Sequence, residues 1–112
     1  MNKLFTYGTL QNEKIQLELF HRVLTGKNDT LDGYELSTLS QVIEEEGVQT
    51  EISYPVIFKS TNPNSKIRGA VIELTDDELK VADDYEGDDY KRIAVFLASG
   101  TSAYTYIQNK KA

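Results

Sequence analysis

The sequence holds no cysteine, a single histidine and only two prolines in 112 residues. The first absence removes thiol nucleophiles and disulfides, and with one histidine it also removes Cys/His zinc sites and two-histidine metal motifs. Long apolar runs are missing too: the longest, Ile93 to Ala98, is far short of a membrane span. The start, Met1-Asn2-Lys3, leads into a short strand-like run without a signal-peptide pattern, so a cytoplasmic protein with no membrane partner is expected. Positive charge is scarce as well. Lys and Arg number 12 against 18 Asp and Glu, a formal charge of −6, which argues against nucleic acid, because binding a phosphate backbone needs a basic footprint.

What is present suffices for a fold. Hydrophobic residues make up 39% and charged residues 27%, outside the range of disordered chains, and the length fits one domain over residues 1–112. A catalyst of this composition works with carboxylates, hydroxyls and backbone dipoles.

Lys3 to Tyr7 reads as a short strand ended by Gly8. Ile15, Leu19, Phe20, Val23 and Leu24 fall at helical spacing over Glu13 to Leu24, with Asn12 as N-cap and Gly26 as the stop. Thr30 to Leu39 suits a strand, with a bulge or tight bend at Gly33. The stretch Gln41 to Thr50, with its Glu44-Glu45-Glu46-Gly47 run, reads as a solvated loop or hairpin tip. Tyr54 to Lys59 is expected as a strand that starts at an edge or bulge because of Pro55, and Asn62 to Ser65 as a turn.

Ile67 to Leu74 is a further strand. Thr75 and Glu78 have the capping-box spacing that starts a helix near Asp76. In Tyr90 to Ala98, Ile93, Val95 and Leu97 alternate with Arg92, Ala94 and Phe96, so that strand has one inner face. Ser99-Gly100-Thr101 turns the chain into a last strand, Ser102 to Ile107, before a polar tail at Asn109-Lys110-Lys111. Several strands with two helical interruptions point to an α+β domain built on a curled or closed sheet.

Two places can carry chemistry. The first is Tyr7-Gly8-Thr9-Leu10, where a glycine between a strand end and a helix start lets successive N–H groups point at an anion; an ordinary strand-to-loop turn has the same pattern. The second is Glu86, which shares a helix face with Leu79 and Ala82 at spacings of three and four. On that face its carboxylate is partly desolvated, which raises its pKa toward the range a general acid/base needs. The alternative is a solvated helix end among Asp83, Asp84, Asp88 and Asp89. His21 has no partner His or Cys and is expected to be structural or exposed, and no G-x-S-x-G pattern supplies a serine nucleophile. Tyr85, Tyr90, Tyr104 and Tyr106 cluster in the last third, either packing on the sheet or lining a small-molecule pocket.

Taken in order, Phe5-Thr6-Tyr7-Gly8-Thr9-Leu10, Gly33-Tyr34-Glu35-Leu36, Tyr54-Pro55, Arg68-Gly69-Ala70-Val71, Asp83-Asp84-Tyr85-Glu86-Gly87, Tyr90-Lys91-Arg92 and Ala103-Tyr104-Thr105-Tyr106 resemble the γ-glutamylcyclotransferase-like family. The resemblance implies a small mixed, curled β-barrel flanked by two main helices, with the Y-G-T-L loop and the acidic residue of the D-x-Y-E-G segment meeting at a cavity. It implies a cofactor-free reaction in which the α-amine of a γ-glutamyl group attacks its own side-chain carbonyl, closing 5-oxoproline and releasing an amine. It implies Glu86 as acid/base, backbone N–H groups of Gly8, Thr9 and Leu10 holding the α-carboxylate or the oxyanion, and Tyr7 and Tyr90 orienting the glutamyl group. Tyr104 and Tyr106 form a second tier that depends on which way their strand faces. The expected partner is a small molecule with a γ-glutamyl group, bound by a monomer or homodimer.

A different use of the same fold is a non-catalytic domain that binds an amine ligand through Glu86 and the tyrosines. A third is an accessory protein whose Glu44 to Glu46 segment docks a basic partner. The first two separate on geometry: a general base must lie within reach of the Tyr7 to Leu10 loop and out of bulk solvent.

Overall fold

In a computed structural model, residues 1–109 are described, and Lys110 and Lys111 of the expected polar tail lie outside them. The chain runs β1 (Asn2–Thr6), a 3-10 turn (Thr9–Gln11), α1 (Glu13–Phe20), β2 (Lys27–Asp32), β3 (Tyr34–Glu45), β4 (Val48–Lys59), β5 (Lys66–Leu74), α2 (Asp76–Glu86), β6 (Tyr90–Phe96) and β7 (Ser102–Gln108). Five strands form a mixed sheet in the order β2-β5-β1-β7-β6, while β3 and β4 pair only with each other. Strand β1 is central, antiparallel to β5 and parallel to β7, where Leu4 lies opposite Tyr104.

Adjacent residues of a strand face opposite sides of the sheet, and both sides of β1 are buried. Leu4 packs with Leu10, Phe20, Leu24, Ile72, Leu74, Leu79, Ala82 and Tyr106 on the side covered by the helices. Phe5 packs with Leu31, Ile57, Ile67, Val71, Val95, Leu97 and Ala103 on the other side. Ile57 enters that second core because the root of the β3–β4 ribbon folds over the sheet.

The architecture is α+β with two helices, but the sheets do not close into the expected barrel. The outer strands β2 and β6 meet only at a corner, where the Ala98 N–H just beyond β6 donates to the Thr30 carbonyl (2.8 Å) and the Ser99 hydroxyl donates to Asp29 (2.5 Å). The reason is Gly33, whose φ of +83° breaks the expected Thr30 to Leu39 strand and sends β3 into a separate ribbon. Its N–H donates to the Ser65 carbonyl and its own carbonyl accepts from the Ser60 N–H, both at 2.8 Å, which fixes the bend.

Two other boundaries differ from expectation. Helix α1 starts at Asn12, whose side chain accepts from the Lys14 and Ile15 N–H groups, but ends at Phe20 rather than Leu24. His21 takes the left-handed conformation (φ 59°) and its N–H caps the Leu17 carbonyl, so the stop is His21 and not Gly26. The chain then turns back toward the core: buried Gln16 accepts from the Leu24 N–H (2.9 Å) and donates to the Leu10 carbonyl (2.8 Å). The Glu44 to Gly47 run is the hairpin tip that was one of its two expected forms: Glu46 and Gly47, both at positive φ, make the two-residue turn, and the strands on either side extend through the rest of Gln41 to Thr50. Pro55 sits within β4 opposite Thr38, which a two-stranded ribbon tolerates because both strands are edges.

Helix α2 begins as the sequence predicts. Thr75 and Glu78 form the complete capping box, and the Arg22 guanidinium grips both Glu78 oxygens at 2.7 and 2.9 Å. That hydrogen-bonded pair, with the Thr75 N–H, holds the Glu78 carboxyl down at about 2. Among the described residues no helix is long and apolar enough to cross a membrane.

The two inner strands approach closely at Gly69, where a β-carbon would lie 2.5 Å from the Thr6 carbonyl oxygen and 2.8 Å from the Phe5 ring. Gly69→Ala is therefore expected to destabilise the fold by about 1–3 kcal/mol, the usual cost of overpacking, read as a lower urea midpoint. An unchanged midpoint would mean that β1 and β5 separate freely.

Candidate active site

At the ends of β1 and β7 the helix α2 and the root of β4 enclose a cavity of about 370 Å³. Its walls are Phe5, Thr6, Tyr7, Gly8, Thr9, Tyr54, Pro55, Tyr85, Glu86, Asp89, Tyr90 and Tyr106. The cavity exists because β1 stops at Thr6 and the chain swings aside through Gly8 into the 3-10 turn, leaving the sheet open at that end.

Glu86 is the last residue of α2, ahead of Gly87, whose positive φ and N–H bond to the Asp83 carbonyl (3.1 Å) end the helix. Leu79 and fully buried Ala82 share its face, as the spacing predicts, and turn the carboxylate inward although it stands at the helix end. Burial raises its pKa from 4.5 to about 7. Among the described residues no hydrogen-bond donor pairs with it, so nothing offsets the lost hydration.

The tyrosines around Glu86 have their protons directed elsewhere. The Tyr7 hydroxyl donates to the Tyr106 carbonyl (2.7 Å), that of Tyr90 to the Pro55 carbonyl, and that of Tyr106 to the Asp83 carboxylate (2.6 Å). Burial pushes all three phenols above their ordinary value, and the negative charge of Glu86 pushes each further in the same direction. They are neutral across the physiological range, and the hydroxyl lone pairs they retain are acceptors. At the rim, Tyr54 donates to Asp89 (2.5 Å) with its ring 6.0 Å from that of Tyr90, and Tyr85 shares a hydrogen bond with Thr9 (2.8 Å).

Of the residues singled out in the sequence, Tyr7, Gly8, Thr9, Glu86, Tyr90 and Tyr106 come together in this cavity. Leu10 does not: its side chain is fully buried in the helix-side core and its carbonyl is held by Gln16. Tyr104 also falls outside. It shares a strand face with Tyr106 but lies one step further from the cavity, 37% exposed, under the Arg92 guanidinium at 4.8 Å. Position along the strand, not the facing of the strand, separates the two.

Tyr54, Pro55 and Asp89 were not among the sequence candidates for the site. Tyr54-Pro55 was legible as a motif, but only the packing of β4 against β7 brings it to Glu86. Among the described residues no group of three His, Cys, Asp or Glu side chains is placed to hold a metal ion.

Relatives agree with this architecture. Residues 4–112 match the family described as Gamma-glutamyl cyclotransferase, AIG2-like. AIG2-like protein C of Arabidopsis thaliana is 31% identical over 93 residues, 82% of this chain and 47% of that protein, so the chain spans about half the length of this curated relative. Among solved structures, one Arabidopsis thaliana protein superposes with a TM-score of 0.70 at 25% identity, over 96% of this chain and 61% of that one. A second from the same plant gives 0.72 at 24% identity, over 99% and 70%. A structure named Gamma-glutamyl cyclotransferase gives 0.70 at 22% identity, over 96% and 66%, a likeness of fold. The family match over nearly all of the chain, with the Arabidopsis relative beside it, shows that the chain belongs to the gamma-glutamyl cyclotransferase, AIG2-like family.

Proposed function

We propose that this protein is a γ-glutamyl cyclotransferase that converts a γ-glutamyl amine or similar small conjugate into 5-oxoproline and a free amine. The observation that carries the proposal is a carboxyl group buried in one cavity with Gly8 and Thr9 and bonded to no donor among the described residues, a setting that pushes its pKa up to about 7. A carboxyl in that state both takes and returns a proton near neutral pH.

The reaction balances within the substrate. The α-ammonium first gives up one proton to solvent; the free α-amine then forms a bond to the γ-carbonyl carbon, the bond from that carbon to the leaving nitrogen breaks, and one proton passes from the first nitrogen to the second. Glu86 takes that proton as the ring closes and returns it as the amine leaves, so neither water nor a cofactor enters the balance. Ring closure is intramolecular, and orientation supplies much of the acceleration. Tyr7 and Tyr90 line the glutamyl side of the cavity in this scheme, and the N–H groups of Gly8 and Thr9 take the α-carboxylate or the developing oxyanion. Leu10, outside the cavity wall, drops out of that set.

The lining favours such a substrate. Among the described residues it contains two carboxylates, Glu86 and Asp89, and no Lys or Arg, while the Tyr90 and Tyr106 hydroxyls present lone pairs; the Tyr7 oxygen already accepts from the Ile57 N–H. A ligand rich in N–H donors finds partners on these walls, and its one anionic group is left to backbone donors.

Purified protein incubated with a panel of γ-glutamyl amines, amino acids and peptides is expected to yield 5-oxoproline by mass spectrometry, and Glu86→Gln to lose about 10²-fold or more of that rate. Product from neither protein supports a domain that only binds an amine ligand, and equal product from both removes Glu86 from the mechanism. For the active enzyme, kcat/KM is expected to rise with pH through a limb near 7, since below it Glu86 is protonated and takes no further proton.

Stability is expected to move in the opposite direction. The folded state binds the Glu86 proton up to about pH 7 and the unfolded state only to about 4.5, so the wild type loses stability as pH rises between these values. Each pH unit of that gap corresponds to about 1.4 kcal/mol at most. Glu86→Gln removes the dependence, and urea unfolding at pH 8 should find it more stable than the wild type.

A further inference from the structure

A buried carboxylate ringed by phenols usually takes a hydrogen bond from one of them, which favours the charged form and lowers its pKa. Glu86 takes none, although Tyr7, Tyr90 and Tyr106 all line its cavity. Each of these hydroxyls spends its one proton on another acceptor. For Tyr7 and Tyr90 that acceptor is a backbone carbonyl, of Tyr106 and Pro55 respectively. For Tyr106 it is a side chain, the Asp83 carboxylate at 2.6 Å.

Asp83 is well placed for this task. It stands three residues before Glu86 on α2, one turn away on the same helix, and its carbonyl accepts the Gly87 N–H that ends the helix. Its carboxylate also lies 3.5 Å from the Arg92 guanidinium on β6. We propose that Asp83 is a positioning residue that holds the Tyr106 hydroxyl proton away from Glu86 and so keeps the Glu86 carboxyl without a donor.

Among the described residues, Tyr7 beyond β1, Tyr85 on α2, Tyr90 on β6 and Tyr106 on β7 line the cavity with Glu86, with Asp89 and Tyr54 across it; Arg92 and Tyr106 face Asp83. Loss of the Asp83 acceptor leaves the Tyr106 hydroxyl with Glu86 as its nearby anion, since their charges are already coupled. The consequence is an acid/base too acidic for its task. The activity consequence rests on the cyclotransferase proposal, whereas the protonation of Glu86 is measurable without any substrate.

The test titrates the Glu86 side-chain carboxyl by carbon-13 NMR in protein labelled at glutamate, with the resonance assigned by its absence from Glu86→Gln. Asp83→Ala is expected to lower the Glu86 midpoint by about one pH unit, the scale of one hydrogen bond to a carboxylate. Asp83→Asn loses the charge but keeps an acceptor oxygen, so its midpoint should stay near that of the wild type. The double variant Asp83→Ala, Tyr106→Phe frees Arg92 equally but has no hydroxyl to redirect, so its midpoint should return toward that of Asp83→Asn. Equal midpoints for Asp83→Ala and the double variant would overturn the proposal.

Tyr106→Phe alone should leave the midpoint unchanged. A rise would mean that Tyr106 already donates to Glu86, and it would overturn the proposal even if Asp83→Ala fails to fold. In an active enzyme the acid limb of kcat/KM should follow the NMR midpoint in each variant. A wild type that makes no 5-oxoproline refutes the cyclotransferase proposal while leaving the NMR comparison to decide the role of Asp83.

Discussion

Strand β1 is five residues long and is buried on both faces from Leu4 to Thr6, and the rest of the molecule is arranged around that burial. Leu4 requires a layer on one side of the sheet and Phe5 a layer on the other. The helices supply the first, and the curl of the sheet with the root of the β3–β4 ribbon supplies the second. A strand buried in this way needs neighbours for its backbone on both edges, which β5 and β7 provide. The cavity is the place where this arrangement runs out. Beyond Thr6 there is no further strand, and what closes that end is side chains from α2, β4, β6 and β7.

The carboxylate placed there is expensive to keep. Desolvation without a compensating donor works against the folded state, and α2 is anchored accordingly. At its start it has a complete capping box and the two-pronged grip of Arg22 on Glu78; at its end Gly87 closes the last turn. Between these points Leu79 and Ala82 fix the helix to the core. The fold thus spends its strongest local contacts on the element that carries its least stable group, a trade often found where function demands a strained group.

Much of this was legible from the residues. The capping box at Thr75, the alternation of Ile93, Val95 and Leu97, and the shared face of Leu79, Ala82 and Glu86 are local patterns with one mechanical reading each, and the elements formed where they lie. The strands flanking the Glu46-Gly47 turn were hidden because Val42 to Thr50 has no buried face to impose alternation, and Val42 and Val48 are exposed along with the glutamates. The early end of α1 depends on Gln16 reaching the Leu24 N–H, a contact that periodicity does not encode. The Tyr54 to Asp89 hydrogen bond joins residues 35 positions apart and follows only from the packing of β4 over the end of β7. Tyr104 and Tyr106 are indistinguishable by pattern, and only where the helices end decides between them.

Among the described residues the cavity wall carries carboxylates but no Lys or Arg, and this has a bearing on turnover. Under the proposed cyclisation the substrate's glutamyl group enters with an ammonium and a carboxylate that offset each other. Ring closure converts the amine into a lactam nitrogen, which is not basic, so 5-oxoproline is a net anion from the moment it forms. It then lies against Glu86 and Asp89, with no cation among the described wall residues to retain it. Like-charge repulsion turns the finished ring into a poorer ligand than the open chain, and the chemistry itself drives product out of the site.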